Sequence, residues 1–268
     1  MDPNLSEEHK AYLRKRKRET RTVSFFRALI VLAFFAAWEL AARCGLLDPF
    51  IFSSPSRAFL CLWGLLKDRT LFLHAGVTLA EAAAGFFAGS VLGGLLAFLL
   101  WWFPRAERVL DPYLVVINSL PKIALGPVII VWVGSGYSSI LTVTLLVSVV
   151  CTVIGVLAGF REVDREKITL LKSFGAGKGQ IFFYAVFPAS IPSVVSALKI
   201  NVGMTWVGVI VGEFLVSRSG LGYLIVYGGQ VFRMDLVMGS VLILSALSAG
   251  MYALVAFAEK KARKFLGE

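Results

Sequence analysis

Five ionisable side chains stand inside or beside long apolar stretches of this chain: Glu39, Glu81, Lys122, Lys199 and Glu213. A charged group inside a membrane is costly, so such residues usually pair with one another or line a path for an ion or a polar solute. Glu39 and Glu81 stand near the ends of their apolar stretches, where a carboxylate reaches the lipid headgroups. Lys199 has a long stem, which allows its ammonium group to do the same.

Glu213 ends an apolar stretch that also carries the polar or aromatic residues Asn201, Thr205 and Trp206. Trp206 lies two helical turns before Glu213, on a similar face of the expected helix. Two interpretations fit this pattern. The side chains line a solute pathway, or they form hydrogen bonds between helices while the carboxylate meets the headgroups.

A second polar group lies in the stretch NSLPKIALGP, which contains Asn118 and Lys122. Pro121 and Pro127 both weaken the helical hydrogen-bond ladder there. Broken helices are tolerated inside a membrane where neighbours or a watery cavity satisfy the freed carbonyl groups. The predicted pathway residues are Asn118, Lys122, Asn201, Trp206 and Glu213.

The composition indicates an integral membrane protein. The chain is 57% hydrophobic with a mean hydropathy of +0.78, and only 16% of its residues are charged. A soluble domain is roughly 45–50% apolar, so this chain has too little polar material to cover a water-facing surface. The formal net charge of +10 is compatible with nucleic-acid binding, but its distribution along the chain argues against that function.

No motif for catalysis, metal binding or nucleotide binding occurs in the sequence. The three cysteines are scattered without a C-x-x-C pair, and the two histidines, His9 and His74, are far apart. The stretch SFGAGKGQ lacks the spacing of a phosphate-binding loop. We therefore expect no metal, no cofactor bound by this chain and no enzymatic activity of its own.

Six apolar stretches are each long enough to cross a bilayer. They cover roughly 25–45, 77–103, 113–133, 138–160, 190–212 and 236–258. A cleaved signal peptide is the alternative for the first stretch, but its basic region is unusually long and no small-residue cleavage site follows. The sequence predicts an all-α protein with six transmembrane helices and a retained first span.

Basic residues alternate between the segments that join these spans. The segments on one predicted side contain 10–21, Arg105 with Arg108, 161–178 and 260–264, and most lysines and arginines lie there. Cytoplasmic segments carry this excess in membrane proteins. We therefore predict a multi-pass protein of the cytoplasmic membrane with both termini in the cytoplasm, whose basic residues also attract anionic lipids.

These patterns divide the chain into a basic cytoplasmic segment (1–24), a first span with an outer helix (25–71), a main membrane domain (72–258) and a basic tail (259–268). The outer helix is expected at Pro55–Asp68, which is amphipathic and too short to span.

Three glycines spaced by four, Gly85, Gly89 and Gly93, let a neighbouring helix approach closely. Packing within the subunit is favoured over a contact between subunits.

The longest loop between spans, residues 161–192, contains two short helical patterns on either side of Gly175. Glycine after an apolar helical turn is a helix-stop signal. One apolar face is expected before the break, formed by Ile168, Leu170, Leu171 and Phe174, and the apolar positions after it are Ile181, Phe182 and Val186. The pattern predicts a helix–turn–helix on the cytoplasmic face, either as a docking element or as a plain connection.

This loop resembles the cytoplasmic EAA loop of ABC-transporter permeases, whose pattern is E-A-A-x-x-x-G, nine residues, then I-x-L-P. Gly175 and Pro188 take the glycine and proline positions at the family's spacing, whereas residues 169–171 read TLL in place of EAA. Ala185 and Phe187 replace the Ile and Leu. The stretches WELAARCGLLDPFIFSSPSRAF, RAERVLDPYLVVINSLPKIALGPVIIVWVG, GFREVDRE and SGLGYLI are similar to the nitrate/sulfonate/taurine-type importer permeases.

The resemblance implies a type I ABC importer permease fold over 72–258 and a pathway for a small solute such as a sulfonate, nitrate, taurine or a vitamin precursor. It implies a homodimer, two cytoplasmic ATPases that bind ATP and magnesium, and an extracytoplasmic binding protein. The ATPases would dock on a coupling loop at 161–190. The coupling residues implied are Arg165, Lys167, Leu171, Lys172, Phe174, Gly175, Ala176, Phe182 and Pro188.

An ion-coupled secondary transporter is the alternative function. Such a protein couples an ion through buried acidic or histidine side chains and often shows an inverted repeat. The buried candidates are sparse in this chain and no repeat is visible, so the sequence favours the ABC permease.

Overall fold

The computed structural model describes the backbone of residues 7–265, and every described segment of regular structure is helical. Side chains are described for most of residues 15–260, the exceptions being Lys17, Thr20 and Ile123. Residues 1–6 and 266–268 of the two predicted basic terminal segments lie outside the described residues.

Twelve α-helices follow one another along the described chain. They are α1 (Glu7–Arg43), α2 (Pro49–Phe52), α3 (Pro55–Lys67), α4 (Thr70–Trp102), α5 (Pro104–Ser119), α6 (Gly126–Val133), α7 (Tyr137–Arg161), α8 (Arg165–Ser173), α9 (Lys178–Ile181), α10 (Phe187–Val216), α11 (Leu221–Gln230) and α12 (Met234–Phe265). A 3₁₀ turn at Lys122–Leu125 precedes α6, and one π-helical turn at Phe182–Val186 joins α9 to α10.

Five helical segments of the described chain are long and apolar enough to cross a membrane: Arg21–Arg43, Thr70–Trp102, Tyr137–Arg161, Lys178–Val216 and Met234–Lys260. They coincide, to within a few residues at some ends, with five of the six predicted spans. The fold is therefore that of an all-α membrane protein.

The remaining predicted span, 113–133, consists of the end of α5, the 3₁₀ turn and α6 instead of one helix. Leu120 has extended backbone angles (φ −62°, ψ 138°), as expected for a residue that precedes a proline. Pro121 also has no N–H group to continue the helical ladder. The expected weakening of the helix at this proline is confirmed. As a result, Asn118 lies at the end of α5, whereas Lys122 begins the 3₁₀ turn after the break.

Helices α4, α7 and α10 form the centre of the molecule. Gly85, Gly89 and Gly93 of α4 face Thr144, Ser148 and Thr152 of α7. A Cβ atom at Gly89 would lie 2.0 Å from Ser148 Oγ, so only glycine allows this approach. These three positions thus serve packing within the subunit, which was the favoured interpretation.

Hydrogen bonds join the same three helices around Asn201 of α10. Its amide oxygen accepts a hydrogen bond of 2.8 Å from Ser148 of α7, and its amide nitrogen donates one of 3.1 Å to Ser90 of α4. Asn201 is completely buried. A buried polar group needs such partners, and here they fix the three helices relative to one another.

Two apolar clusters lie beyond this centre. The end of the molecule that contains α8 and α9 is called the loop end. The apolar cluster there packs with the last turns of α4 and α7, and it includes Phe160, Ile181, Phe182 and Val186. At the opposite end, which we call the α11 end, Leu71, Leu221, Leu224 and Leu236 pack with side chains of α3. The predicted outer helix Pro55–Asp68 is α3, whose first turn is capped by the Ser54 hydroxyl.

Candidate functional site

Helix α8 and the turn after it have a geometry set by two capping residues. The Asp164 carboxylate accepts a hydrogen bond of 2.9 Å from the Glu166 amide at the start of the helix. At its end, Gly175 has φ +81°, and the amides of Gly175 and Ala176 donate to the carbonyls of Lys172 and Leu171 at 2.9 and 3.0 Å. This is a Schellman turn, which requires a left-handed residue and therefore favours glycine.

The apolar side chains of α8 and of the turn after it do not share one face. Ile168, Leu171 and Ala176 pack against the cluster at the loop end, whereas Leu170 and Phe174 point away from the protein. The Phe174 side chain is 77% exposed. A single apolar face, expected from the sequence, is thus divided into an anchoring side and an exposed side.

Lys178 of α9 fastens the loop to the end of α4. Its ammonium group donates a hydrogen bond to the Trp102 carbonyl. The same group lies 5.8 Å from the centre of the Trp101 ring and 5.4 Å from that of Trp102, within the range of a cation–π interaction. The carbonyl belongs to the last turn of α4, where helical carbonyls lack intrahelical partners.

Phe182 forms the hydrophobic part of the same attachment. Its ring is 4% exposed, and its centroid lies 4.8 Å from Phe98, 4.9 Å from Trp101 and 5.4 Å from Phe160. These distances are typical of favourable aromatic pairs. Phe182 therefore connects the loop to both α4 and α7 before α10 begins.

The predicted coupling residues lie together at this end of the molecule. Six are exposed: Arg165, Lys167, Lys172, Phe174, Gly175 and Pro188. Leu171 and Ala176 are half-buried, and Phe182 is buried. The predicted coupling residues thus include exposed side chains and also the buried side chains that attach the loop to the spanning helices.

The predicted pathway residues form two groups. Asn118 is exposed on α5, and the half-buried Lys122 donates a hydrogen bond of 2.7 Å from its ammonium group to the Asn118 carbonyl. Asn201, Trp206 and Glu213 are buried inside the chain. Within the described chain, only the first group includes an exposed side chain, that of Asn118.

Glu39 and Lys199 have protein partners, whereas Glu81, expected to reach the headgroups, is buried at 6% exposure. Glu39 accepts hydrogen bonds of 3.0 Å from both the amide and the hydroxyl of Ser56, which attaches α1 to α3. Lys199, expected to reach toward the headgroups, forms an ion pair with Glu259 of α12. Both contacts join helices to one another.

Glu213 belongs to a buried network that the sequence did not reveal. Its carboxyl oxygens accept hydrogen bonds from the Thr78 hydroxyl at 2.6 Å and from the Gly222 amide at 2.5 Å. Thr78 also accepts from the Leu221 amide at 2.8 Å, and His74 Nδ1 accepts from the Gly220 amide at 3.0 Å. The interpretation as hydrogen bonds between helices describes these contacts. Two features of the sequence correspond to this network. The glycine-containing stretch SGLG follows Glu213 by six residues, and Thr78 lies about one helical turn before Glu81.

Residues 89–264 match the family described as binding-protein-dependent transport system inner membrane component. The chain belongs to this family of permeases. It is the membrane permease subunit of an ABC importer, as the resemblance of the loop implied. Among the described residues, no group of His, Cys, Asp and Glu is arranged to bind a metal ion.

Two curated relatives cover most of the permease. It is 32% identical over 195 residues to the formylaminopyrimidine transport permease protein ThiX of Halalkalibacterium halodurans, covering 73% of this chain and 77% of the relative. It is 28% identical over 212 residues to the putative aliphatic sulfonates transport permease protein SsuC of Escherichia coli, covering 79% and 81%.

A solved structure of the MetNI methionine ABC transporter in an inward-facing conformation has a chain of the same fold. The TM-score is 0.58 at 20% identity, over 69% of the permease and 90% of that chain. This likeness supports the fold of the permease.

Proposed function

We propose that two copies of the permease form the pathway of an importer that two cytoplasmic ATPases drive and an extracytoplasmic binding protein supplies. Both termini and the 161–190 loop then lie in the cytoplasm, and the α11 end faces outward. The positive-inside distribution of lysine and arginine supports this orientation. ATP and magnesium bind to the ATPase and not to this chain.

The observation that carries the proposal is the exposed side of α8. The exposed residues there are the aromatic Phe174, directly after α8, and the basic Arg165, Lys167 and Lys172. The opposite side of the loop is fixed by Phe182 in the aromatic cluster at the loop end. An exposed surface on a firmly attached helix is suited to receive force from a partner, because its displacement moves the spanning helices with it.

We place the contact with the second copy at α5 and α6. Val131 and Trp132 are 81% and 80% exposed, and Asn118 lies on the same broken segment. Polar residues within membrane segments usually face a bundle interior or a watery cavity. We place the solute pathway between two such segments, with Asn118 and Lys122 facing it.

The buried residues Asn201, Trp206 and Glu213 remain predicted pathway residues of a different conformation. Alternating access exposes different faces of the helices in its two states. Cysteine variants at these positions, labelled from the outer side with and without ATP, test this assignment. Protection of all three in both states would contradict it.

The solute is proposed to be a small organic anion or a vitamin precursor. Relatives of the permease are named for the transport of formylaminopyrimidine, aliphatic sulfonates, taurine and riboflavin. Lys122 would supply positive charge in the pathway.

Uptake into proteoliposomes tests the proposal. The permease is purified with its ATPase and binding protein, and uptake of labelled aliphatic sulfonate, taurine and formylaminopyrimidine is measured with ATP inside the vesicles. Uptake of one of these that needs both ATP and the binding protein supports the proposal. Uptake driven by a proton or sodium gradient without ATP would instead support the secondary transporter.

A further inference from the structure

Three successive amides at the start of α11, from its N-cap residue Gly220 to Gly222, are each bonded to a side chain of a spanning helix. Gly220 donates to His74, Leu221 to Thr78 and Gly222 to Glu213. The first amides of a helix have no intrahelical partner, so these side chains supply their hydrogen bonds. We call His74, Thr78 and Glu213 the α11 cap.

The α11 cap connects three helices at one point. His74 and Thr78 belong to α4 and Glu213 belongs to α10, while the Thr78 hydroxyl bonded to Glu213 joins these two helices directly. Thr78 is fully buried and Glu213 is 1% exposed, so water does not compete for these bonds. A buried donor left without its acceptor is costly, which makes separation of α11 from α10 unfavourable.

The backbone of α11 lies directly against the Glu213 side chain. A Cβ atom at Gly222 would lie 2.7 Å from a Glu213 carboxyl oxygen, and one at Gly220 would lie 2.5 Å from its carboxyl carbon. Gly220 also has φ +113°, which a residue with a side chain rarely adopts. Close contact and hydrogen bonding together leave α11 no room to slide over α10.

Helix α10 reaches from the loop end to this cap. It has 30 residues and is joined to α9 through a π-helical turn, without a non-helical break. At 1.5 Å per residue it is about 45 Å long. Pro192 lies inside the second turn, and the continuous helix beyond it carries a tilt of α10 to Glu213 near the other end.

We propose that Glu213 and Thr78 are positioning residues that make α11 move with α10, so that the coupling loop controls the outer mouth of the permease. This inference rests on the proposed function. It assigns to Glu213 a role in transmission between the two faces of the membrane, separate from any contact with solute. Breaking the α11 cap leaves ATP hydrolysis intact but uncouples it from movement at the outer face.

Two identical substitutions provide the test and its control. Thr78→Val removes the hydroxyl group of the α11 cap at nearly constant volume. Thr152→Val makes the same change on α7 at another fully buried threonine, whose hydroxyl has no hydrogen-bond partner within the described structure. A nonspecific effect of losing a buried hydroxyl would appear in both variants.

Each variant is assembled with its ATPase and binding protein, and solute uptake per ATP hydrolysed is measured. The movement of α11 is followed by thiol labelling of Gln230→Cys, in a background without the native cysteines, in the ATP-free and the vanadate-trapped complex. For Thr78→Val we expect uptake per ATP to fall about tenfold, within the usual range of coupling between sites. In Thr78→Val, the labelling rates of the ATP-free and the vanadate-trapped complex become equal. Thr152→Val retains the wild-type uptake per ATP and the wild-type difference between the two labelling rates.

Equal behaviour of Thr78→Val and Thr152→Val in both measurements would overturn the inference. If Thr78→Val does not assemble, Glu213→Met decides, because it removes both carboxyl oxygens that accept from Thr78 and Gly222 at a similar side-chain length. Wild-type uptake per ATP in Glu213→Met would then overturn the inference. Wild-type complexes that show no ATP-dependent uptake at all would instead refute the proposed function.

Discussion

Replacing Gly175 by valine should uncouple ATP hydrolysis from transport. Gly175 has φ +81°, and a Cβ atom added there would meet nothing within 4 Å. The substitution therefore acts on the backbone and not through a clash. The left-handed conformation costs a residue with a side chain roughly 1–2 kcal/mol. If the turn rearranges instead, the hydrogen bonds from the amides of Gly175 and Ala176 are lost.

A penalty of about 1–2 kcal/mol lowers the ratio of native to rearranged turn by a factor of about 5–30. We expect uptake per ATP hydrolysed to fall in Gly175→Val, by up to that factor, while membrane insertion and ATP hydrolysis persist. Gly175→Asn is the matched control, since asparagine tolerates the left-handed conformation far better. Both quantities are measured in proteoliposomes with the complete transporter.

Two results would refute this reasoning. Wild-type uptake per ATP in the valine variant would mean that the turn after α8 is not needed for coupling. An equally large loss in the asparagine variant would mean that any side chain at position 175 interferes, which points to direct contact with the partner and not to the backbone conformation.

Two further predictions concern the packing of the permease. Phe182→Ala should lower the free energy of unfolding by about 3–5 kcal/mol, because it leaves a cavity at a buried aromatic site. Phe183→Ala, at the neighbouring residue that is 64% exposed, should change this free energy by less than about 0.5 kcal/mol. Chemical denaturation in detergent micelles measures both, and similar losses would contradict the assignment of Phe182 as the attachment of the loop. Gly89→Val should prevent the close packing of α4 on α7 and abolish the folded, monodisperse protein in size-exclusion chromatography. Gly94→Val, where a side chain meets open space, should leave the elution unchanged, and normal elution of the Gly89 variant would contradict the packing.

Much of the fold follows from the length of the apolar runs and from the positions of glycine and proline in the sequence. The five long helices coincide with long apolar runs, since a spanning helix needs about 20 apolar residues. Gly175 identified the turn in the loop because left-handed backbone favours glycine. Pro121 identified the break between α5 and α6 because proline cannot continue the helical ladder.

Contacts between distant segments were not accessible in the same way. Thr78 and Glu213 are 135 positions apart, and nothing in their local sequence indicates that they meet. His74 was considered only for metal binding or catalysis, whereas it accepts a hydrogen bond from the backbone of Gly220. Helix α11 was too short and too close to the end of α10 to be recognised as a separate element.

The division of α8 into two sides was equally hidden. Ile168, Leu170, Leu171 and Phe174 are all apolar, and helical spacing cannot tell which of them meet the body of the protein. The aromatic cluster around Phe182 covers one side of the loop and leaves Phe174 exposed. Exposure of an apolar ring at that position is the feature that a cytosolic partner would explain.

Cross-linking from Phe174 tests the central claim most directly. A photo-reactive amino acid is placed at position 174 in the assembled transporter, and a second one is placed at Phe232, which is 64% exposed near the start of α12. We predict a cross-link from position 174 to the ATPase subunit and none from position 232. Absence of any cross-link between position 174 and the ATPase in transport-active complexes would contradict the account.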